Sequence, residues 1–131
     1  MNISGIVIML EENGLTEVSE ILSLSDHSVI EFFYDFDIDE LKAARAYANE
    51  ESDAEEDSIE WKREYYIPYL LDIAKDNSEA IVEEAMDEFE LEWKLEDSTL
   101  DANENKYLRF VLACAKEEYI GDLEELLNDY L

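Results

Sequence analysis

The chain is poor in the residues that carry covalent and metal chemistry. Its 131 residues include one cysteine, one histidine, one proline and three glycines. A lone cysteine, Cys114, excludes an intrachain disulfide and any paired-cysteine metal motif. Its neighbours Val111, Leu112, Ala113 and Ala115 are apolar, so it reads as a small buried hydrophobe rather than a reactive thiol. A lone histidine, His27, would have to serve any Ser–His or Cys–His pair. Within Ser25-Asp26-His27-Ser28 it reads better as part of a polar helix N-terminus. There is no glycine-rich phosphate loop and no nucleophile elbow. The apolar run Ile6–Leu10 is too short to span a bilayer. No Lys or Arg precedes it, so it makes a poor signal peptide, and an intracellular location is expected. No catalytic residue, cofactor or metal ligand is assigned.

Positive charge is the scarcest property of all. Nine Lys and Arg face 37 Asp and Glu, a formal net charge of −28. Such a charge repels itself and opposes a compact state, and solubility alone asks for only about 2 to 8. It also opposes contact with nucleic acid and with anionic membranes. Disorder is excluded, because 47% of residues are hydrophobic and 11% aromatic, enough to bury a core. One acidic domain spanning residues 1–131 is expected. On duplex DNA, 28 charges occupy roughly 48 Å of axis. A compact chain of this length has a radius of gyration of about 14 Å. The charge density therefore suits a partner whose surface is basic.

Calcium is tested by spacing. Asp35-Phe36-Asp37-Ile38-Asp39 imitates the start of an EF-hand loop, but Glu40 and Ala46 stand where Gly and Glu are required. Asp101-Ala102-Asn103-Glu104-Asn105 fails likewise, with Lys106 and Leu112 at those places.

Periodicity predicts a mainly α, compact helical domain with a few short strands, an α+β fold being the alternative. Leu15, Val18, Ile21 and Leu22 suit a short helix, while residues 6–10 fit either helix or strand. A helix beginning near Asp39 would place Leu41, Ala44 and Ala48 on one face. Its solvated end, or a loop, would hold Glu50, Glu51, Asp53, Glu55, Glu56 and Asp57. Trp61, Tyr65 and Tyr69 form a row at i, i+4, i+8, read as ordinary core or as a homodimer contact. Pro68 should kink that helix or start a new one. Asn77-Ser78 reads as a helix stop and fresh N-cap. Ile81, Val82, Ala85, Met86 and Phe89 then make an apolar stripe backed by Glu83, Glu84, Asp87 and Glu88. Strict alternation over 89–95 and 34–39 has the signature of strands, which could pair with each other. The segment 108–130 reads as the clearest helix, interrupted at Gly121, with Glu118, Asp122, Glu125 and Asp129 down one face.

Glu96-Asp97-Ser98-Thr99-Leu100, followed by Leu126-Leu127-Asn128-Asp129-Tyr130-Leu131, resembles the corresponding part of the Ocr-type antirestriction proteins of phages. The likeness covers about the last 40 residues. It implies a dimeric, mainly helical DNA mimic, acting in the cytoplasm of the infected or host bacterial cell. Such a protein would occupy the DNA site of a basic restriction or other defence protein. The first 57 residues do not share the likeness, and no long acidic tail follows Leu131. The carboxylates expected to meet the partner are those of the acidic segment 50–57 and of the two ladders. The runner-up expectation is an immunity protein that neutralises one basic toxin. A halophile's ordinary domain is third.

Overall fold

The structure, a computed structural model, describes residues 1–98 and 106–131. Its architecture is α+β, not mainly α. Helix α1 (Ile3–Glu12) leads into a hairpin of β1 (Thr16–Ser23) and β2 (His27–Asp35). Then come α2 (Ile38–Glu51), the single turn α3 (Ile59–Trp61), a π-helical turn Lys62–Tyr66 and the long α4 (Ile67–Glu88). The strands β3 (Glu92–Asp97) and β4 (Tyr107–Ala115) follow, and α5 (Leu123–Asn128) ends the order. The four strands form one antiparallel sheet in the order β1-β2-β4-β3.

The two faces of the sheet differ. On the inner face, Ile30, Phe32, Leu108, Phe110, Leu112 and Cys114 meet Ile6 and Leu10 of α1, Ala44 and Ala48 of α2, Trp61, and Leu70, Ala74, Val82, Ala85 and Met86 of α4. Phe32 and Phe110 are register partners and stack at 5.2 Å. Burial of this many large side chains, each stabilising by about 1.5–3 kcal/mol, is what opposes the charge repulsion. On the outer face, α5 covers only Val29, Val111 and Ala113, through Leu127.

Several expectations are corrected here. The 108–130 segment is not one helix. Its first part is β4, a central strand buried on both faces, and such strands carry continuous apolar runs that also match helical spacing. Val18, Ile21 and Leu22 likewise lie in a strand, β1, with Leu15 just before it. Register shifts between Thr16 and Ser19 and between Glu20 and Leu22 mark bulges that stretch its period from two towards three. Residues 6–10 are helical. His27 opens β2 instead of capping a helix, and its ring stacks on Tyr119 at 4.3 Å. Asn77-Ser78 does not break α4, which runs unbroken for 22 residues. Ser78 is buried, and Asn77 donates to the Tyr34 hydroxyl at 2.7 Å, so neither side chain is free to cap. Of the alternating segments only 34–35 and 92–95 are strand, in β2 and β3, while Ile38 and Asp39 already open α2; the two strands do not pair with each other, and β4 lies between them.

Other expectations agree with the structure. Helix α2 starts one residue before Asp39. Asp37 accepts from the Glu40 N–H at 2.8 Å, and Glu40 accepts from the Asp37 N–H at 3.0 Å, which is a capping box. Pro68 stands at the start of α4, directly after the π-helical turn Lys62–Tyr66, where the hydrogen-bonding register of the continuing helix changes.

Candidate partner-binding surface

The continuity of α4 changes the carboxylate ladder. The expected four, Glu83, Glu84, Asp87 and Glu88, lie on its last turns and are exposed. Because no break occurs at Asn77, the row extends backwards through Glu79 and Asp76 to Asp72, all exposed. Asp72, Asp76, Glu79, Glu83 and Asp87 recur at steps of four and three, opposite the buried row Leu70, Ala74, Val82 and Ala85. At 1.5 Å per residue this ridge is about 22 Å long, with neighbours about 5–6 Å apart. One strand of B-DNA places six or seven phosphates over that length, at roughly 3.4 Å each. Glu84 and Glu88 stand on the flank of the ridge.

The last turn of α4 carries Asp87 and Glu88 and no basic residue; the last turn of α2 carries Glu50 and Glu51 and likewise no basic residue. A helix C-terminus already bears partial negative charge, so carboxylates there are unfavourable by about 0.3–1 kcal/mol each. Stability alone would not place them there.

The acidic segment 50–57 is split. Glu50 and Glu51 end α2, and Asp53, Glu55, Glu56 and Asp57 belong to the connection that follows; all six are exposed. The connection is braced from within. Arg45 donates to Asp57 at 3.0 Å and to Glu56 at 3.4 Å. Its guanidinium lies over the rings of Trp61 and Tyr66, 5.4 and 5.6 Å from their centres. Asn49 accepts from the Trp61 indole N–H at 3.0 Å and donates to Glu56 at 3.0 Å. The hydrogen bond from Arg45 to Asp57 pushes the guanidinium pKa up, strengthening the pair. Burial raises the Tyr66 hydroxyl, and Arg45 opposes that rise.

The ladder expected at the C-terminus is not assembled. Glu118 falls in the turn after β4. Asp122 caps α5, accepting from the Glu124 N–H at 2.8 Å, Glu125 sits within α5, and Asp129 closes it. With no helix from 116 to 122, these four carboxylates share no common helical face. Gly121 interrupts no helix either; the Tyr119 ring folds over it, where a Cβ would collide with the ring.

Of the aromatic row, Trp61 belongs to the core. Trp61 is fully buried within the monomer. The π-helical turn adds a residue to the local repeat, so the partner of Trp61 across that turn is Tyr66, stacked at 5.0 Å, instead of Tyr65. Tyr69 stacks on Tyr47 of α2 at 5.0 Å, and both Tyr65 and Tyr69 are half-buried against the core.

Elsewhere carboxylates have structural work. Glu40 accepts from the Tyr34 hydroxyl at 2.6 Å. Burial, followed by that bond, pushes Tyr34 up to about 12. Burial alone pushes the Cys114 thiol up to about 12, which makes it a packed side chain and a poor nucleophile. Among the described residues, no group of three or more His, Cys, Asp or Glu is placed to hold a metal ion. The 101–105 look-alike, with Thr99 and Leu100 of the Ocr-like stretch, lies outside the described residues. No helix of the described residues is long and apolar enough to cross a membrane.

Sequence reasoning missed a recess at the open end of the outer sheet face. Among the described residues it is lined by Thr16, Glu17, Phe33, Asp35 and Tyr107 and encloses about 390 Å³. The missing signal was the β assignment of β1 and β4, without which these residues had no common face. No family model, curated protein or solved structure matches this chain.

Proposed function

We propose that the protein is a DNA-mimic inhibitor that occupies the DNA channel of a basic, DNA-binding defence protein of the host. The observation that carries this reading is the α4 ridge, five exposed carboxylates in one row on the side of the helix turned away from the core. Their spacing is of the same order as that of backbone phosphates. Its last carboxylate lies where the helix dipole disfavours it, and the one basic residue of α4, Lys75 beside the row, is paired with Asp97 of β3 at 3.6 Å. A row of this kind steers a basic cleft and speeds association. The braced segment 53–57 adds a second acidic element. The resemblance to Ocr-type proteins points the same way.

A competition titration tests the proposal. Labelled duplex bound to a set of DNA-binding defence enzymes is challenged with this protein at several salt concentrations. Displacement near stoichiometry, weakening steeply as salt rises, is expected. A variant neutralised at Asp76, Glu79, Glu83 and Asp87 together should displace at least tenfold less well and with a shallower salt dependence. Equal displacement by that variant, with unchanged circular dichroism, would remove the ridge from the mechanism. Loss of binding to one basic toxin through one or two substitutions would favour an immunity protein instead.

A further inference from the structure

We propose that the recess at the end of the outer sheet face receives an arginine side chain of the basic partner; this rests on the decoy reading above. Three features of the recess specify a guanidinium. The first is aromatic surface. Phe33 and Tyr107 pack edge to face at 5.7 Å, and Tyr107 is 45% exposed, so one ring is open to a cation above it. The second is fixed negative charge. Asp35 is the register partner of Tyr107, and its Oδ2 accepts from the Thr16 hydroxyl at 3.0 Å, which orients the carboxylate. The same hydroxyl lies 3.3 Å from the Phe33 carbonyl. Glu17 stands on the opposite wall, at the first bulge of β1, with φ at +47°. That left-handed conformation, unusual for a non-glycine residue, re-aims a strand side chain. The third feature is a free slot. Among the described residues, neither Glu17 nor Asp35 is paired with Lys or Arg.

The sheet already holds one guanidinium in comparable surroundings. Arg109, the register partner of Phe33, donates to Glu31 at 2.6 Å and to the Tyr130 carbonyl at 3.1 Å. The recess lies one step further along the same face, with carboxylate and ring but no cation of its own. A planar fork that stacks and donates two bonds fits better than a strongly hydrated ammonium.

The test is a nuclear magnetic resonance titration of the full chain with N-acetylarginine amide at low salt. Saturable shifts concentrated on Thr16, Phe33 and Tyr107 are expected, with affinity at least fivefold above that for N-acetyllysine amide. N-acetylcitrulline amide, of the same shape but uncharged, should not saturate. Asp35→Asn, at an exposed position, should weaken binding at least fivefold; Tyr107→Leu supplies the second check. Shifts spread evenly over α4 and the recess, or equal binding of citrulline, would overturn the proposal. DNA displacement by wild-type protein with a silent recess would overturn this inference alone and leave the decoy reading standing. Arginine bound in the recess without any DNA displacement would remove the decoy reading, and with it the defence-protein partner, while leaving the recess as an arginine site.

Discussion

The connection after α2 and the ridge of α4 are both dense in carboxylates, yet they are built oppositely. The connection contains its own cation. Arg45 reaches Glu56 and Asp57 and rests on Trp61 and Tyr66, so part of its charge is spent on holding one backbone course. The five ridge carboxylates form no ion pair among the described residues, Lys75 beside them being drawn to Asp97, and their order comes from the helix under them, whose opposite face is packed in the core. Acid count is therefore a poor guide to available negative charge. What matters is whether a carboxylate is already answered within the molecule.

Three changes would break or sharpen this contrast. The largest effect is expected at Trp61, which forms the floor under Arg45 and is fully buried. Trp61→Ala should lower stability by about 3–5 kcal/mol, the range for emptying a large aromatic site, read by urea denaturation. Disturbance confined to the 52–58 connection, with no loss of global stability, would show that Trp61 serves the connection and not the core. Arg45→Ala should cost about 1 kcal/mol, because both ion pairs are largely exposed and screened and the ring contacts add modestly. Its sharper signature is local: backbone amides of residues 53–57 should exchange faster with solvent while those of α4 do not change. The smallest effect is expected on the ridge. Neutralising Asp76, Glu79, Glu83 and Asp87 removes like-charge neighbours and should stabilise the fold at low salt by a few tenths of a kcal/mol per pair, read as a higher melting midpoint. The gain should fade as salt screens the charges. A loss of stability would mean that the ridge is answered by cations after all.

The sequence carried the charge and the local starts and stops better than the sheet. The change at Pro68, the helix near Asp39 and the strand alternation over residues 92–95 were legible, because each is encoded in neighbouring residues. The central strand was not. From Phe110 to Ala115 it is buried on both faces, so Leu108, Val111, Leu112 and Ala115 satisfy a helical template as well as a strand. Two bulges disguised β1 in the same way. In the π-helical turn an extra residue moved the ring partner of Trp61 from Tyr65 to Tyr66, which no regular spacing encodes. Half of the carboxylate surface was legible. Of the five-residue row on α4 only Glu83 and Asp87 were expected; Asp72, Asp76 and Glu79 were not, because the helix was expected to start afresh at Ser78, and the C-terminal ladder depended on a helix that is not there. The recess was invisible, since Thr16, Phe33 and Tyr107 meet only through strand pairing.

The order of strands, β1-β2-β4-β3, has a consequence for how the chain reaches this state. The strand at the centre of the sheet beside β2 is the last to be made. During synthesis, α1, the hairpin, α2 and α4 all emerge before β4, with Ile30 and Phe32 lacking the neighbouring strand that completes their floor. Contacts between residues so far apart in sequence close slowly, and an exposed strand edge invites pairing with other chains. Mutual repulsion between nascent chains would keep them apart through that interval, so the acidity that suits a basic partner also guards an unfinished sheet.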